Sequence, residues 1–459
     1  MILTMEEFRQ FQPEKPTFAL FGHPIAHTMS PELHAKLFAA SEKDCDYFAV
    51  DVPPEDLAEA MQIAQKKCGG LNLTIPHKKA VFDYLDAVDE TARDLGSVNT
   101  VHFTDGKAIG YNTDILGFSG SLEFDHVSVE GRIAVLVGYG GVGRVIGYHL
   151  ANAGAKLLIT GRNLAKAKAL RNELRGYLPQ ADINIMPSTQ LPRATAIVVN
   201  GTPLGMYPHE DACPLEKLPV GTKYVFDTIY NPPCTSFMQL APHGVKTRNG
   251  LLMLVLQAAY AQTVWFGTQF SQTDLTRILR MLSGDMAKKR LHDVYGKQNI
   301  VLCGFMGSGK TTIGRKLARA LQCQFIDMDS YLEKREGKKI SEIFAEVGEA
   351  GFRDIETACA HEVADRTGCV IALGGGAVLR EENVAQYKKN GLLIHLNTPF
   401  FRIVQNLSRD TSRPLLQGDK QKQTRLLYNQ RKQIYQNCAD RSVSGTRISE
   451  IVDAVFRAI

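Results

Sequence analysis

Ile133-Ala134-Val135-Leu136-Val137-Gly138-Tyr139-Gly140-Gly141-Val142-Gly143 is an apolar run that ends in a glycine-spaced loop. The pattern predicts a strand, a tight turn and a helix over residues 133–152. Gly138, Gly140, Gly141 and Gly143 let the backbone approach a pyrophosphate, and the helix start offers free N–H groups and a positive dipole. Taken alone, the loop is also consistent with a glycine turn that binds nothing. The next apolar run, Lys156 to Thr160, ends in Gly161-Arg162-Asn163. No acidic residue is present there to hold the ribose hydroxyls of NAD. Arg162, with Lys166 one helical turn on, suits the 2′-phosphate of NADP. On spacing alone, two solvent-facing bases at a helix start fit equally well.

A second phosphate loop lies downstream. Gly304-Phe-Met-Gly307-Ser308-Gly309-Lys310-Thr311 follows Ile300-Val301-Leu302 and precedes a helix expected over Thr312 to Leu321. It fits GxxxxGK[ST] completely. The backbone N–H groups of Gly307, Ser308, Gly309 and the residues up to Thr312 would cradle phosphates. Lys310 would reach the outer ones, and the Thr311 hydroxyl would bind Mg²⁺. A dinucleotide loop and a nucleoside-triphosphate loop in series imply two active sites, one for redox chemistry and one for phosphoryl transfer.

Around these loops, short apolar runs alternate with helix-length amphipathic segments from Thr17 onward, the pattern of βα units and parallel sheets. The fold class is therefore α/β. With 459 residues, the chain exceeds a single core and suggests about two to four domains. Beyond a helix over 273–282, the polar run from Ser283 to Asp293 loses apolar periodicity, so residues 284–297 are expected to be an interdomain linker. The two halves should then work when cut apart there, as 1–288 and 294–459.

Bulk composition excludes several classes. A hydrophobic content of 44% and charged content of 22% are those of a soluble globular protein. The net charge of +5 is mild for this length, and an ordinary solvated surface explains it as well as a basic lid over phosphates. No helix-turn-helix or basic DNA-reading segment is evident, so no nucleic-acid partner is expected. No apolar stretch approaches a membrane span, and Met1 to Gln12 carries acids where a signal peptide would be apolar. The nine cysteines are scattered without a CxxC pair and suggest reduced thiols. A cytoplasmic location without membrane attachment is the expectation.

Ordered motifs sharpen the first half. Gly22-His-Pro-Ile-Ala-His27-Thr28-Met-Ser30-Pro31, Asn72-Leu-Thr74-Ile-Pro76-His-Lys78, Gly96-Ser-Val-Asn99-Thr100 and Tyr111-Asn112-Thr113-Asp114 occur in that order. Asn200-Gly-Thr202-Pro-Leu-Gly-Met206, Asp227-Thr-Ile-Tyr230-Asn-Pro, and Asn249-Gly250 followed by Gln257 complete the set. Over residues 17–283 the chain resembles the shikimate dehydrogenase family. That resemblance implies Lys78 and Asp114 as the catalytic pair. It implies Thr28, Ser30, Thr74, Asn99, Asp114, Tyr230 and Gln257 as contacts of the substrate's hydroxyls and carboxylate. Glu90 stands where the family has a residue near the cofactor, and Gly250 is placed with the NADP contacts. The chain departs from the family at Thr28, where serine is usual, and at Gly161-Arg162-Asn163, where Asn-Arg-Thr is usual.

The second half carries Phe325-Ile-Asp327-Met-Asp329, Gly351-Phe-Arg353-Asp-Ile-Glu356, Ala372-Leu-Gly374-Gly375-Gly376-Ala377, Ser412-Arg413-Pro414-Leu-Leu and Arg431-Lys-Gln-Ile-Tyr435. Residues 299–459 resemble shikimate kinase. The resemblance implies that Asp327 helps Thr311 hold Mg²⁺ and that Asp329 binds ring hydroxyls and accepts the attacking hydroxyl's proton. Arg353 and Arg431 would clamp the carboxylate, and the Gly375 backbone would close over the ring. Arg413 would stabilise the transferred phosphoryl group, and Arg409 would touch ATP.

Together the two resemblances imply a two-lobed dehydrogenase with a Rossmann NADP lobe, followed by a P-loop kinase domain with a parallel sheet. The expected boundaries are a substrate lobe of 1–115 plus 250–283, an NADP lobe of 116–249, the linker, and a kinase domain of 298–459. The implied activity is NADPH-dependent reduction of 3-dehydroshikimate and ATP-dependent phosphorylation of the resulting shikimate. Two alternatives stay open at this point: a quinate/shikimate dehydrogenase of relaxed cofactor use fused to a kinase, and a non-catalytic metabolite sensor.

Overall fold

The computed structural model describes residues 1–25, 28–408 and 420–459. The chain divides into two compact units, Met1–Leu279 and Arg280–Ile459.

The first unit holds two sheets. One contains β1 (Ile2–Leu3), β2 (Thr17–Gly22), β3 (Asp46–Asp51), β4 (Gly70–Leu73), β5 (Ala87–Val88), β6 (Thr100–Thr104) and β7 (Lys107–Tyr111), in the order β1-β3-β2-β4-β6-β7-β5. It is mixed rather than purely parallel: β6 runs antiparallel to both β4 and β7. The reversal from β6 to β7 is made by Asp105-Gly106, whose φ angles of 52° and 75° both lie in the left-handed region that a two-residue hairpin turn demands. The other sheet contains β8 (Ile133–Val137), β9 (Lys156–Thr160), β10 (Ile183–Ile185), β11 (Ile197–Asn200), β12 (Tyr224–Asp227) and β13 (Lys246–Arg248). Its order is β10-β9-β8-β11-β12-β13, with every pairing parallel. Counted from β8, this is the 3-2-1-4-5-6 order of the Rossmann fold, whose dinucleotide crevice opens where the order reverses beside its first strand.

Helices Asp114–Phe124 and Leu251–Phe266 join the two sheets. They pack closely because Gly117 has no side chain. A Cβ there would stand 2.6 Å from the Met253 carbonyl oxygen and 3.0 Å from Gln257 Cβ. Asp125, at the end of the first of these helices, is buried and receives Arg248 Nε at 2.7 Å, Lys246 Nζ at 2.9 Å and the Tyr224 hydroxyl at 2.7 Å. Burial pushes its carboxyl up, but the bonds from Arg248, Lys246 and Tyr224 outweigh that and hold it below the ordinary value. The cofactor lobe is thereby tied to the helix that Asp114 begins.

The second unit has one sheet of β14 (Asn299–Cys303), β15 (Gln324–Asp327), β16 (Cys369–Ala372), β17 (Gly391–Leu396) and β18 (Arg441–Val443), in the order β15-β16-β14-β17-β18 and wholly parallel. The phosphate loop leaves β14, the central strand. The long helix Ile340–Ala364 bends at Gly348, whose φ of 69° lies outside the helical region.

The expected linker is not a linker. Residues 284–295 continue the helix Gln272–Tyr295, which carries the chain across the division at Leu279 and Arg280. Ala287 and Leu291 are buried in the core of the second unit with Ile300, Leu317 and Val455. Gly284 lies against the Ala320 carbonyl, 2.6 Å from where a Cβ would be. A fragment beginning at residue 294 therefore loses part of its own core, whereas one beginning at Arg280 keeps it. Removing a buried leucine costs roughly 2–5 kcal/mol. The 294–459 fragment is expected to melt about 10 °C below 280–459. Equal melting midpoints in a thermal scan would show that this segment contributes nothing to the domain.

Candidate active sites

In the first unit, Lys78 lies on the single-turn helix His77–Ala80 that follows β4 and Pro76. His77 fixes that turn. Its buried ring Nε2 lies 2.8 Å from the Val52 carbonyl, and desolvation lowers the pKa of the imidazole against the opposing effect of that bond. The Val98 N–H also donates to the Lys78 carbonyl at 2.9 Å. Lys78 Nζ then reaches Asp114 Oδ2 at 2.6 Å, both side chains being partly buried. The other oxygen, Oδ1, accepts from Asn99 Nδ2 at 2.9 Å. Asn99 is itself held by the Thr113 N–H, which donates to its Oδ1 at 2.7 Å. Behind it, Asn72 Nδ2 donates to Thr100 Oγ1 at 3.0 Å, and the Tyr47 hydroxyl donates to Asn72 Oδ1 at 2.8 Å. A buried polar chain thus runs from Tyr47 to the carboxylate that holds the lysine.

The other residues expected to contact substrate lie on separate elements of the same unit. The Thr28 hydroxyl accepts the Ser30 N–H at 3.1 Å, where Ser30 begins the helix Ser30–Ala40. The Thr74 methyl fills the space left by Gly22, 2.4 Å from a Cβ built there. Gln257 stands on the helix packed against Gly117, three residues beyond Asp114. Tyr230 follows β12, and burial pushes its phenol up.

Of the residues expected to meet the cofactor, the loop glycines follow β8, the first strand of the second sheet. Gly138 has φ 115°, and a Cβ there would stand 2.8 Å from Thr202 Cγ2 and 2.9 Å from the Gly201 carbonyl oxygen, so only glycine fits. Gly140 and Gly141 have nothing within 4 Å of a built Cβ, leaving open space at the start of the helix Gly141–Asn152. Gly143 packs against the Gly138 carbonyl, 3.1 Å from a built Cβ. Gly250 touches the Thr228 carbonyl so closely, 2.0 Å from a Cβ, that any side chain would part the two segments. Open backbone at a helix start, at the strand-order reversal, fits a pyrophosphate. Arg162 and Lys166 are exposed at the end of β9 and the start of the helix Leu164–Tyr177. Glu90 begins the helix Glu90–Leu95, which the Tyr148 hydroxyl ties to the glycine-loop helix by donating to Asp94 at 3.1 Å.

In the second unit, Gly307, Ser308, Gly309, Lys310, Thr311 and Thr312 line a cavity of about 660 Å³ together with Asp327, Asp329 and Gly375. Lys310 Nζ donates to the Gly304 carbonyl at 2.8 Å and the Phe305 carbonyl at 3.2 Å. The Thr311 hydroxyl donates to Asp327 Oδ2 at 2.7 Å. These two oxygen donors at the cavity wall suit Mg²⁺, which takes few protein oxygens and keeps water and phosphate for the rest.

The loop of Gly374, Gly375 and Gly376 meets Asp329, Glu356 and Arg353. A Cβ on Gly374 would stand 2.7 Å from Asp329 Oδ1 and 3.0 Å from Glu356 Oε1, while one on Gly376 would collide with the Arg353 guanidinium. Arg353 Nη1 donates to Glu356 Oε2 at 2.6 Å, both side chains being nearly buried. Burial pushes the Glu356 carboxyl up, opposed by Arg353. Arg431 lies one turn before Tyr435 on the helix Lys420–Cys438, and the Tyr435 hydroxyl donates to the Gly375 carbonyl. Arg409 and Arg413 lie outside the described residues.

Sequence reasoning missed several groups. Glu356 stands three residues after Arg353, and its acidity at helical spacing was the available signal. Arg402, Asn406 and the Gly445-Thr446-Arg447 turn also line the cavity, and no local motif marks them. All nine cysteines are free thiols. Among the described residues, no helix is long and apolar enough to cross a membrane.

Comparison with known proteins points to two families. Residues 20–101 match the shikimate dehydrogenase substrate binding domain family, and residues 306–459 match the shikimate kinase family. A shikimate dehydrogenase (NADP(+)) of Symbiobacterium thermophilum is 43% identical over 258 residues, which cover 54% of this chain and 88% of that protein. Among solved structures, a chorismate mutase/shikimate 5-dehydrogenase fusion protein from Clostridium acetobutylicum is 31% identical, with a TM-score of 0.54 over 60% of this chain and 99% of its own. Shikimate 5-dehydrogenase of Thermus thermophilus, solved with NADP(H) and shikimate, is also 31% identical, with a TM-score of 0.53 over 58% of this chain and 99% of its own.

Proposed function

The chain belongs to the shikimate dehydrogenase family and carries a shikimate kinase domain behind it, and from that premise we infer how its residues divide two consecutive reactions. The enzyme reduces 3-dehydroshikimate to shikimate with NADPH and then phosphorylates shikimate to shikimate 3-phosphate with ATP and Mg²⁺.

NADPH, when bound, supplies a hydride to the carbon-3 ketone. Lys78 donates the proton that the ketone oxygen then takes, which is general acid catalysis by a positioned ammonium. Asp114 holds that ammonium in place and is itself aimed by Asn99. Thr28, Ser30, Thr74, Tyr230 and Gln257 fix the ring's carboxylate and hydroxyls. The contact that supports this division most directly is Lys78 Nζ to Asp114 Oδ2 at 2.6 Å, within a hydrogen-bonded frame that leaves the lysine partly open.

The new hydroxyl is the one phosphorylated in the second unit. Asp329 orients it and accepts its proton, while Arg353 and Arg431 bind the carboxylate. Lys310 and the loop N–H groups hold the phosphates of ATP, and Thr311 with Asp327 holds Mg²⁺. The Thr311–Asp327 contact and the convergence of Asp329, Glu356 and Arg353 on the Gly374 loop support these roles. Cytoplasmic residence, where thiols stay reduced, suits the nine free cysteines.

The test supplies shikimate, ATP and Mg²⁺ and identifies the product by phosphorus NMR. A single phosphate ester at carbon 3 is expected. Hydrolysis of ATP at the same rate without shikimate would overturn the kinase assignment.

A further inference from the structure

The glycine loop and the end of β9 meet through one side chain. Tyr139, the residue after the first loop glycine, turns its ring onto Gly161. A Cβ on Gly161 would stand 2.7 Å from Tyr139 Cε1 and 3.4 Å from Cδ1, so the ring fits only because residue 161 has no side chain. The ring's outer end reaches the start of the next helix, where the Tyr139 hydroxyl accepts the Asn163 N–H at 3.2 Å. A phenol has one proton to give as well as lone pairs to offer. Here a lone pair is engaged, and no acceptor takes the proton among the described residues.

The surroundings of that hydroxyl select for an anion. It lies at the N-cap of the helix Leu164–Tyr177, whose first turn contains no acid and whose cap side chain, Asn163 Oδ1, is already engaged by the Lys166 N–H at 3.1 Å. Arg162 precedes the cap and Lys166 follows it, both exposed. Two cations, a helix N-terminus and an undonated phenol proton therefore share one small region at the end of β9. In a 3-2-1-4-5-6 sheet that region receives the 2′ position of the adenosine ribose.

We propose that Tyr139 is a specificity-determining residue of the cofactor site, its hydroxyl donating a hydrogen bond to the 2′-phosphate of NADP beside Arg162 and Lys166. This rests on the NADP reading above and deepens it. The absence of a side chain at 161 makes room for the ring from 139, which brings its hydroxyl to the Asn163 N–H.

The test is titration calorimetry of the full chain with 2′,5′-ADP and with 5′-AMP, two fragments that differ only in the 2′-phosphate. The wild-type chain is expected to bind 2′,5′-ADP more tightly. Tyr139→Phe, which keeps the ring but not the hydroxyl, is expected to weaken 2′,5′-ADP about tenfold, as loss of a hydrogen bond to a charged group does, and to leave 5′-AMP within about twofold. Gly161→Ala, which pushes the ring aside with its hydroxyl intact, is expected to show the same selective loss. Wild-type discrimination that survives Tyr139→Phe would overturn the role of Tyr139 and leave the NADP reading standing. Equal weakening of both fragments would reduce Tyr139 to a support of the loop and also overturn it. No discrimination in the wild-type chain would remove the NADP reading and this proposal together.

Discussion

Lys78→Ala is expected to lower the rate of NADPH-dependent reduction of 3-dehydroshikimate by about 10²–10⁴-fold, the range for loss of a positioned proton donor. The carboxylate that remains, Asp114, keeps its bond from Asn99 at 2.9 Å, so the frame survives the substitution. Substrate is still expected to bind, because the hydroxyl and amide contacts come from other residues, and kcat should fall far more than KM rises. Phosphorylation of added shikimate by the same variant should be unchanged, since the kinase residues all lie in the other unit. Steady-state assays of both half-reactions on one preparation decide this. Reduction at near wild-type kcat would remove Lys78 from the chemistry.

Lys310→Ala is expected to do the converse and lower phosphoryl transfer by about 10²–10³-fold, as removal of a preorganised charge donor does. Lys310 also bridges the Gly304 and Phe305 carbonyls of its own loop. Loss of rate could therefore follow from a collapsed loop rather than from lost charge stabilisation. Nucleotide affinity separates the two: a loop that still binds ADP with Mg²⁺ within about tenfold, but does not transfer phosphate, places Lys310 on the reacting group. ADP formation close to wild type would show that it is dispensable.

The two phosphate loops were legible because their chemistry is local: a strand, glycines at fixed spacing and a helix start lie within about a dozen residues. The ordered motifs brought out Lys78, Asp114 and Asp329 as candidates for the same reason. The helix through residues 284–295 was hidden because its buried side is a narrow stripe, Leu282, Ala287 and Leu291, set among Asp285, Lys288, Lys289, Arg290 and Asp293. A helix that gives most of its surface to solvent shows little apolar periodicity. The antiparallel β6–β7 hairpin did have a local signal in Asp105-Gly106, which the general alternation of strands and helices obscured. Other features arise only from tertiary proximity. Asp125 meets Arg248 although 123 residues separate them in sequence, and the Gly445-Thr446-Arg447 turn reaches the nucleotide cavity through the sheet order that seats β18 beside β17. Tyr139 falls between the two cases. It stands inside the most legible motif of the chain, but its contact with Gly161 appears only once β8 and β9 are paired.

The most direct test of two active sites in series is a single reaction with purified chain, 3-dehydroshikimate, NADPH, ATP and Mg²⁺, following NADPH loss and ADP formation together. The account predicts that the two totals become equal, that ADP formation lags behind NADPH loss, and that omitting NADPH abolishes ADP formation. ADP formed from 3-dehydroshikimate without NADPH, or NADPH consumed with no ADP following, would contradict it.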